Sequence, residues 1–362
     1  MSEFDSVAGW QPARPEPDVV AYGEEAERLP FPVRALEWSG LDVALTGLFG
    51  IEPRRTKVAS PSSFARERML CFAEDAVADR HRTALAVARL SWVLDGDPHP
   101  LNQIIAVHGL EILAADVGLD PLQQDLGPVA NQSDEAIARA WQPHVLALRD
   151  VVTELAHGRE PEPQLRDACV AAIAEVEHLV PPSPRDRRGQ MLLLNYLAHR
   201  TRDPAIVAPA EAALDLVMRR LAADSLRRAL YEPRSPAVRD AAVRACCALG
   251  GLPAVPRILR LVTSPRASGG IPTAAELDRD VRLTLVRLCG QLPEQVAMRA
   301  EPGGPAPVEF LYDVIADGGA DRALQVAALE ALACCLGRPV DLDRTWADRW
   351  WADYVVNRRA RG

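Results

Sequence analysis

Apolar residues return every three or four positions along most of this chain, the spacing that gives a helix one buried face. The pattern begins at Val33, Leu36, Leu41, Leu45, Leu48 and Phe49. Residues 1–30 before it carry prolines and acids with no period, and read as an irregular arm. Residues 53–68, PRRTKVASPSSFARER, are a loop leading into a helix, with Ser62 or Ser63 as its N-cap. From Phe64 to Leu94 the helical spacing is long and clean, through Phe72, Ala76, Leu85, Ala88 and Trp92. DGDPHP, residues 95–100, breaks it, and Leu101 to Val117 forms the next helix. Ile137, Trp141, Leu148 and Val152 share the face of another, whose interior Pro143 predicts a kink or a break. After the linker HGREPEP at 157–163 come helices over 165–180 and 189–200, then a helix or a pair of helices over 203–232. Runs alternating with period two are absent, so the class is all-α.

The last third repeats. VRDAAVRACCALGG (238–251), VRLTLVRLCGQLP (281–293) and LQVAALEALACCLG (324–337) align at two successive intervals of 43 residues. Val238–Arg239, Val281–Arg282 and Leu324–Gln325 coincide, as do Val243–Arg244, Val286–Arg287 and Leu329–Glu330. LRDACVAAI (165–173) is a fourth copy, 73 residues ahead of the first of these. A helix, a turn and then a VRxxAxxALG-like helix resembles the HEAT repeat, whose period is about 40–47 residues. YEPRSPAVRDAAVRACCALGG (231–251) carries the resemblance best, in the form common in bacterial proteins, and residues 307–337 supply both helices of one unit. The resemblance implies a right-handed, armadillo-like α-solenoid whose stacked helix pairs share one core and leave an extended surface. It also implies scaffold and adaptor work, with enzymes and nucleic-acid binders as minority cases. The expected organisation is an arm at 1–30, a helical region at 31–157, HEAT-like repeats over 164–337, and a Trp-rich closing helix with a basic tail at 338–362. SPRASGGIPTA (264–274) departs from the repeat as an insertion, either a binding loop or a tolerated one.

Composition narrows the function classes. The net charge is −9, and residues 1–159 carry 14 basic against 24 acidic groups, which argues against a phosphate-binding surface. Lys57 is the only lysine, a bias that fits either an arginine-rich binder or a GC-rich genome. The acidic opening is unlike a signal peptide, no run is apolar enough to span a membrane, and the seven cysteines are odd in number and scattered. A cytoplasmic protein without membrane insertion and without a disulfide framework is the expectation.

Candidate chemistry is sparse. The adjacent pairs Cys246–Cys247 and Cys334–Cys335 invite a metal or redox reading. In repeat register, however, Cys246 falls on Cys289 and Leu332, Cys247 on Gly290 and Ala333, and Cys334 and Cys335 on Ala248 and Leu249. Those are packing positions, and all seven histidines lie at or before His199, away from the repeats. Asp95, Asp97 and His99 suit either a metal or a helix-capping turn; His108 and Glu111, three apart, suit either a metal or a local hydrogen bond. The paired His-Glu motifs of iron-dependent HEAT hydroxylases, a Gly-rich phosphate loop and a Gly-x-Ser-x-Gly elbow are all missing. No cofactor or metal is expected. DRTWADRWWADYVVNRRARG (343–362) carries the surface candidates Trp346, Trp350, Trp351 and Tyr354. They serve as a cap on the array, as an anchor for a partner, or as a nucleobase grip like that of HEAT-like DNA glycosylases. The sequence therefore points to a non-catalytic scaffold that binds other proteins, with a nucleic-acid-binding or base-repair protein as the alternative.

Overall fold

A computed structural model describes residues 80–96, 100–123, 134–178, 180–181, 184–231, 235–263 and 277–359. The expected arm, the helical reading of 31–79, the insertion at 264–274 and the end of the basic tail lie outside them. All described elements are helical: α1 (Arg80–Gly96), α2 (Pro100–Asp116), α3 (Asp134–Ala156), α4 (Pro163–Ala174), α5 (Pro184–Arg200), α6 (Pro204–Tyr231), α7 (Pro236–Gly250), α8 (Val255–Thr263), α9 (Arg279–Cys289), α10 (Glu294–Ala297), α11 (Pro307–Ala316), α12 (Arg322–Cys335) and α13 (Arg344–Arg359). Six of these helices begin on a proline, where the fixed φ suits the first turn and the missing N–H has no intrahelical partner to lose. The expected kink or break at Pro143 does not end its helix, because α3 runs through it to Ala156. Residues 204–231 form one helix, not a pair. No described helix is long and apolar enough to cross a membrane.

The chain divides into two compact units, with the boundary inside α6 after Ser225 and the short segment Asp120–Leu122 joining the second unit. In the first, α1 packs on α2 and on α5, α5 on α3, and α3 on α4. Leu90, Leu110, Leu148, Leu194 and Leu197 form much of its core, each fully buried. Polar groups pin the same layer. Arg188 of α5 meets the Asp95 carboxylate, Arg187 pairs with Asp224 at 2.8 Å, and Ser91 and Ser225 share a buried hydrogen bond of 2.7 Å. Arg220 donates to the carbonyls of Val176 and Glu177, closing the one-turn 3-10 helix at Glu175–Glu177 that follows α4.

The second unit is built in two rows. α7 packs on α9 and α9 on α12; α8 packs on α11 and α11 on α13; α11 packs against α12 and α9 across the rows. The first row obeys the repeat at single-residue level. Its N-caps, Ser235, Asp278 and Asp321, stand 43 residues apart and each accepts a backbone N–H of the first turn, from Val238, Asp280 and Leu324. Val238, Val281 and Leu324 are buried at one register position, and Cys246, Cys289 and Leu332 at another, all 0–1 % exposed. The register persists through the turn, where Ala254 and Ala297 are both fully buried. The second row does not keep it: α8 starts at Val255 but α11 at Pro307, nine residues later than a strict repeat places it. An added segment after Ala297 produces that shift, and residues 264–276 restore the spacing in the preceding unit.

The arginine that follows valine is interior, beyond merely covering a turn edge with its stem. Arg239 donates through Nε to the Leu230 carbonyl at 2.9 Å, and Arg282 donates to Asp317 Oδ2 at 2.7 Å. In the third copy Gln325 fills the position and donates to the Asp317 carbonyl at 3.0 Å. One turn residue thus ties α9 and α12 together, and an amide can replace the guanidinium where only a carbonyl must be met.

Candidate interaction surface on the last helix

Helix α13 carries the aromatic residues singled out from the sequence, and its neighbours in α11 decide what each does. The wheel turns Ala347, Trp351, Tyr354 and Arg358 inward. Ala347 is fully buried, and Trp351 stacks on Tyr312 of α11 with centroids 4.3 Å apart and planes 8° from parallel. Tyr312 donates its hydroxyl to Asp348 Oδ1 at 3.0 Å, and Tyr354 donates to Glu309 Oε1 at 3.1 Å. Burial raises both phenols, keeping the donating proton in place; for Tyr312 the Asp348 carboxylate adds to the rise. Glu309 also receives the Arg358 guanidinium and the Ala306 backbone N–H. This carboxylate fixes the start of α11 and the far end of α13 at once.

The remaining rings stay at the surface. Trp350 leans on Tyr354 at 5.2 Å and on Trp351 at 6.2 Å. Trp346 is held by its indole N–H, which donates to the Asp341 carbonyl at 2.8 Å, with the Arg338 guanidinium 5.8 Å from the ring centroid. All four aromatic side chains of α13 are half-buried. Trp346 and Tyr354 are thus each held by a hydrogen bond from the polar tip, which removes rotamer freedom.

Tyr312, Glu309 and Asp348 were not legible as site residues in the sequence. Tyr312 and Asp348 each sit within an otherwise ordinary helical pattern, and their meeting depends on how α11 and α13 pack.

The buried thiols are packing groups. Cys169, Cys246, Cys289 and Cys335 are buried, Cys247 is half-buried and Cys334 exposed; the seventh, Cys71, lies outside the described residues. Burial pushes Cys169 up to about 12 and Cys335 up to about 11. Cys289 rises well above its usual 9.0, from burial first and then from the neighbouring Cys335 and Cys247 thiols. A reactive cysteine needs the opposite shift. Cys335 Sγ instead donates to the Cys289 carbonyl at 2.9 Å, bridging α12 to α9.

Of the carboxylate and imidazole candidates, Asp95, His108 and Glu111 are described. Asp95 is engaged by Arg188, His108 donates to Glu111 at 3.3 Å on its own helix, and Asp97 and His99 lie outside the described residues. Among the described residues no group of three or more His, Cys, Asp or Glu side chains is placed to hold a metal ion. Among the described residues of the first unit, Val87, Leu113, Val117 and Met218, with Thr83 and Arg219, line a mostly apolar depression of about 230 Å³ that is partly open to solvent.

No family model, no curated protein and no solved structure matches the chain. Its function therefore has to be argued from its own residues.

Proposed function

We propose that this protein is a HEAT-like, right-handed α-solenoid that works as a non-catalytic scaffold, binding other proteins through the exposed faces of its repeats and of α13. The observation that carries the reading is the 43-residue recurrence of one helix, with the caps Ser235, Asp278 and Asp321 and the same positions buried each time. Helix pairs that cannot bury a face alone must stack, and stacking leaves a long outer surface whose natural use is contact with another macromolecule. A net charge of −9 favours protein partners over nucleic acid. In this reading Trp351 and Tyr354 serve as the cap, and Trp346 and Trp350 as the contact residues.

Capture from a lysate of the native host, by the immobilised full chain and by a Trp346→Ala/Trp350→Ala variant, tests it. Anisotropy with DNA and RNA oligonucleotides at about 50 mM salt runs alongside. A protein retained at near-equal stoichiometry by the parent and lost by the variant, with no oligonucleotide binding, is expected. Salt-sensitive oligonucleotide binding with no protein retained would overturn the proposal in favour of the nucleic-acid alternative.

A further inference from the structure

Helix α13 has a second face, and its pattern is palindromic. Trp346, Arg349, Asp353 and Val356 follow one another at spacings of 3, 4 and 3, which aligns them on one stripe opposite Ala347, Trp351, Tyr354 and Arg358. Arg349 and Asp353 are exposed. Neither makes a hydrogen bond or ion pair within hydrogen-bonding or salt-bridge distance among the described residues, although Asp343 feels the charge of Arg349. Val356 is 67 % exposed, the highest value among the exposed large hydrophobic side chains of the described residues, and Val340 and Leu342 ahead of the helix are 54 % and 46 % exposed. A helix anchored this firmly on its inner side gains nothing in its own fold from an apolar outer stripe.

The stripe is its own complement. A two-fold axis passing near residue 351, with a second α13 lying antiparallel, sets Trp346 opposite Val356 of the second copy and Arg349 opposite its Asp353. The symmetry makes each of those contacts twice. Isologous interfaces have this property, in which residue i meets j and j meets i. Parallel pairing would instead set Arg349 against Arg349 and Asp353 against Asp353, with like charges opposed.

We infer that the outer face of α13 is a docking surface for a second copy of this chain, paired antiparallel through Trp346–Val356 and Arg349–Asp353 contacts. The inference names one partner for the interaction surface proposed above. It is tested on the purified chain alone, so its failure and the failure to capture another protein are separate results. A helix of this length spans about 24 Å. One such pair buries less than the roughly 800 Å² per partner of a standard interface, so the dimer is weak, with a dissociation constant on the order of 10 µM.

Sedimentation velocity of the full chain from about 1 to about 100 µM at low salt, where exposed charges are least screened, reads the equilibrium. Arg349→Asp puts two acids on each stripe, and Asp353→Arg puts two arginines there. Each single variant is expected to weaken the dimer about tenfold or more, since both symmetric pairs become repulsive. The two variants mixed together, and the doubly exchanged Arg349→Asp/Asp353→Arg chain, are expected to recover it, because either combination restores opposite charges across the axis. Both positions changed are solvent-facing, and helical circular dichroism checks that each variant is folded. A chain that stays monomeric to about 100 µM overturns the inference. So do single reversals that leave the dimer intact, and an exchange that fails to restore it.

Discussion

Asp278 and Asp321 cap successive helices, and Ser235 caps the one before them. Their chemistry differs, but their task is one: to accept an N–H that the first turn leaves without a partner. If the repeat is physical, the three capping bonds are equivalent and their loss has comparable cost, apart from the Arg279 pair that Asp321 alone makes. Ser235→Ala, Asp278→Ala and Asp321→Ala are each expected to lower the thermal midpoint by about 2–4 °C. Melting curves check this, and a spread in which one variant is neutral and another collapses contradicts it. Asp321 also carries a pH signature. Arg279 first, and then the Leu324 N–H, hold its carboxyl below the usual 3.8. A lowered carboxyl stabilises fully above the unfolded value, and that contribution is lost as pH falls through the folded one. At this scale the sequence was informative. Cys246 and Cys289 occupy one register position and both are fully buried, as the alignment with Leu332 required. The chain position of an arginine showed less: nothing local pairs Arg282 with Asp317, 35 positions further on.

Among elements, α13 shows what periodicity can and cannot convey. The aromatic stripe was legible because Trp and Tyr recur on a helical spacing. Its division into an inner and an outer set was not, because it depends on Tyr312 and Glu309, which lie in a separate helix with no signal linking them to α13. The first-unit pins are harder still: Arg188 reaches Asp95 across 93 positions, a distance no local pattern bridges. The nine-residue delay of α11 had the same cause, since two compensating differences in segment length leave the first-row interval untouched. Trp351→Ala removes the ring stacked on Tyr312 and is expected to destabilise the chain by about 2 kcal/mol. Trp346→Ala, on the outer stripe, should leave the urea midpoint nearly unchanged. Equal losses from both would mean that the two faces are not distinct.

For the whole molecule, the all-helical class followed from apolar spacing alone, and the structure agrees among the described residues. A chain built from equivalent units has a property that a chain with one irreplaceable core lacks. One unit can be taken out in register and its neighbours still meet matching surfaces. On the proposed reading residues 278–320 make up such a unit, running from one cap to the residue before the next and containing α9, α10 and α11. Their deletion joins Leu277 to Asp321, so that α12 takes the place of α9 beside α7, while α13 loses its anchors Tyr312 and Glu309. Urea unfolding of this shortened chain, followed by circular dichroism at the helical minimum, is the most direct measurement of whether the repeat is real. A helical protein with a single cooperative transition is expected. A chain that loses helix gradually with urea, with no defined midpoint, would contradict the repeat and the scaffold reading built on it.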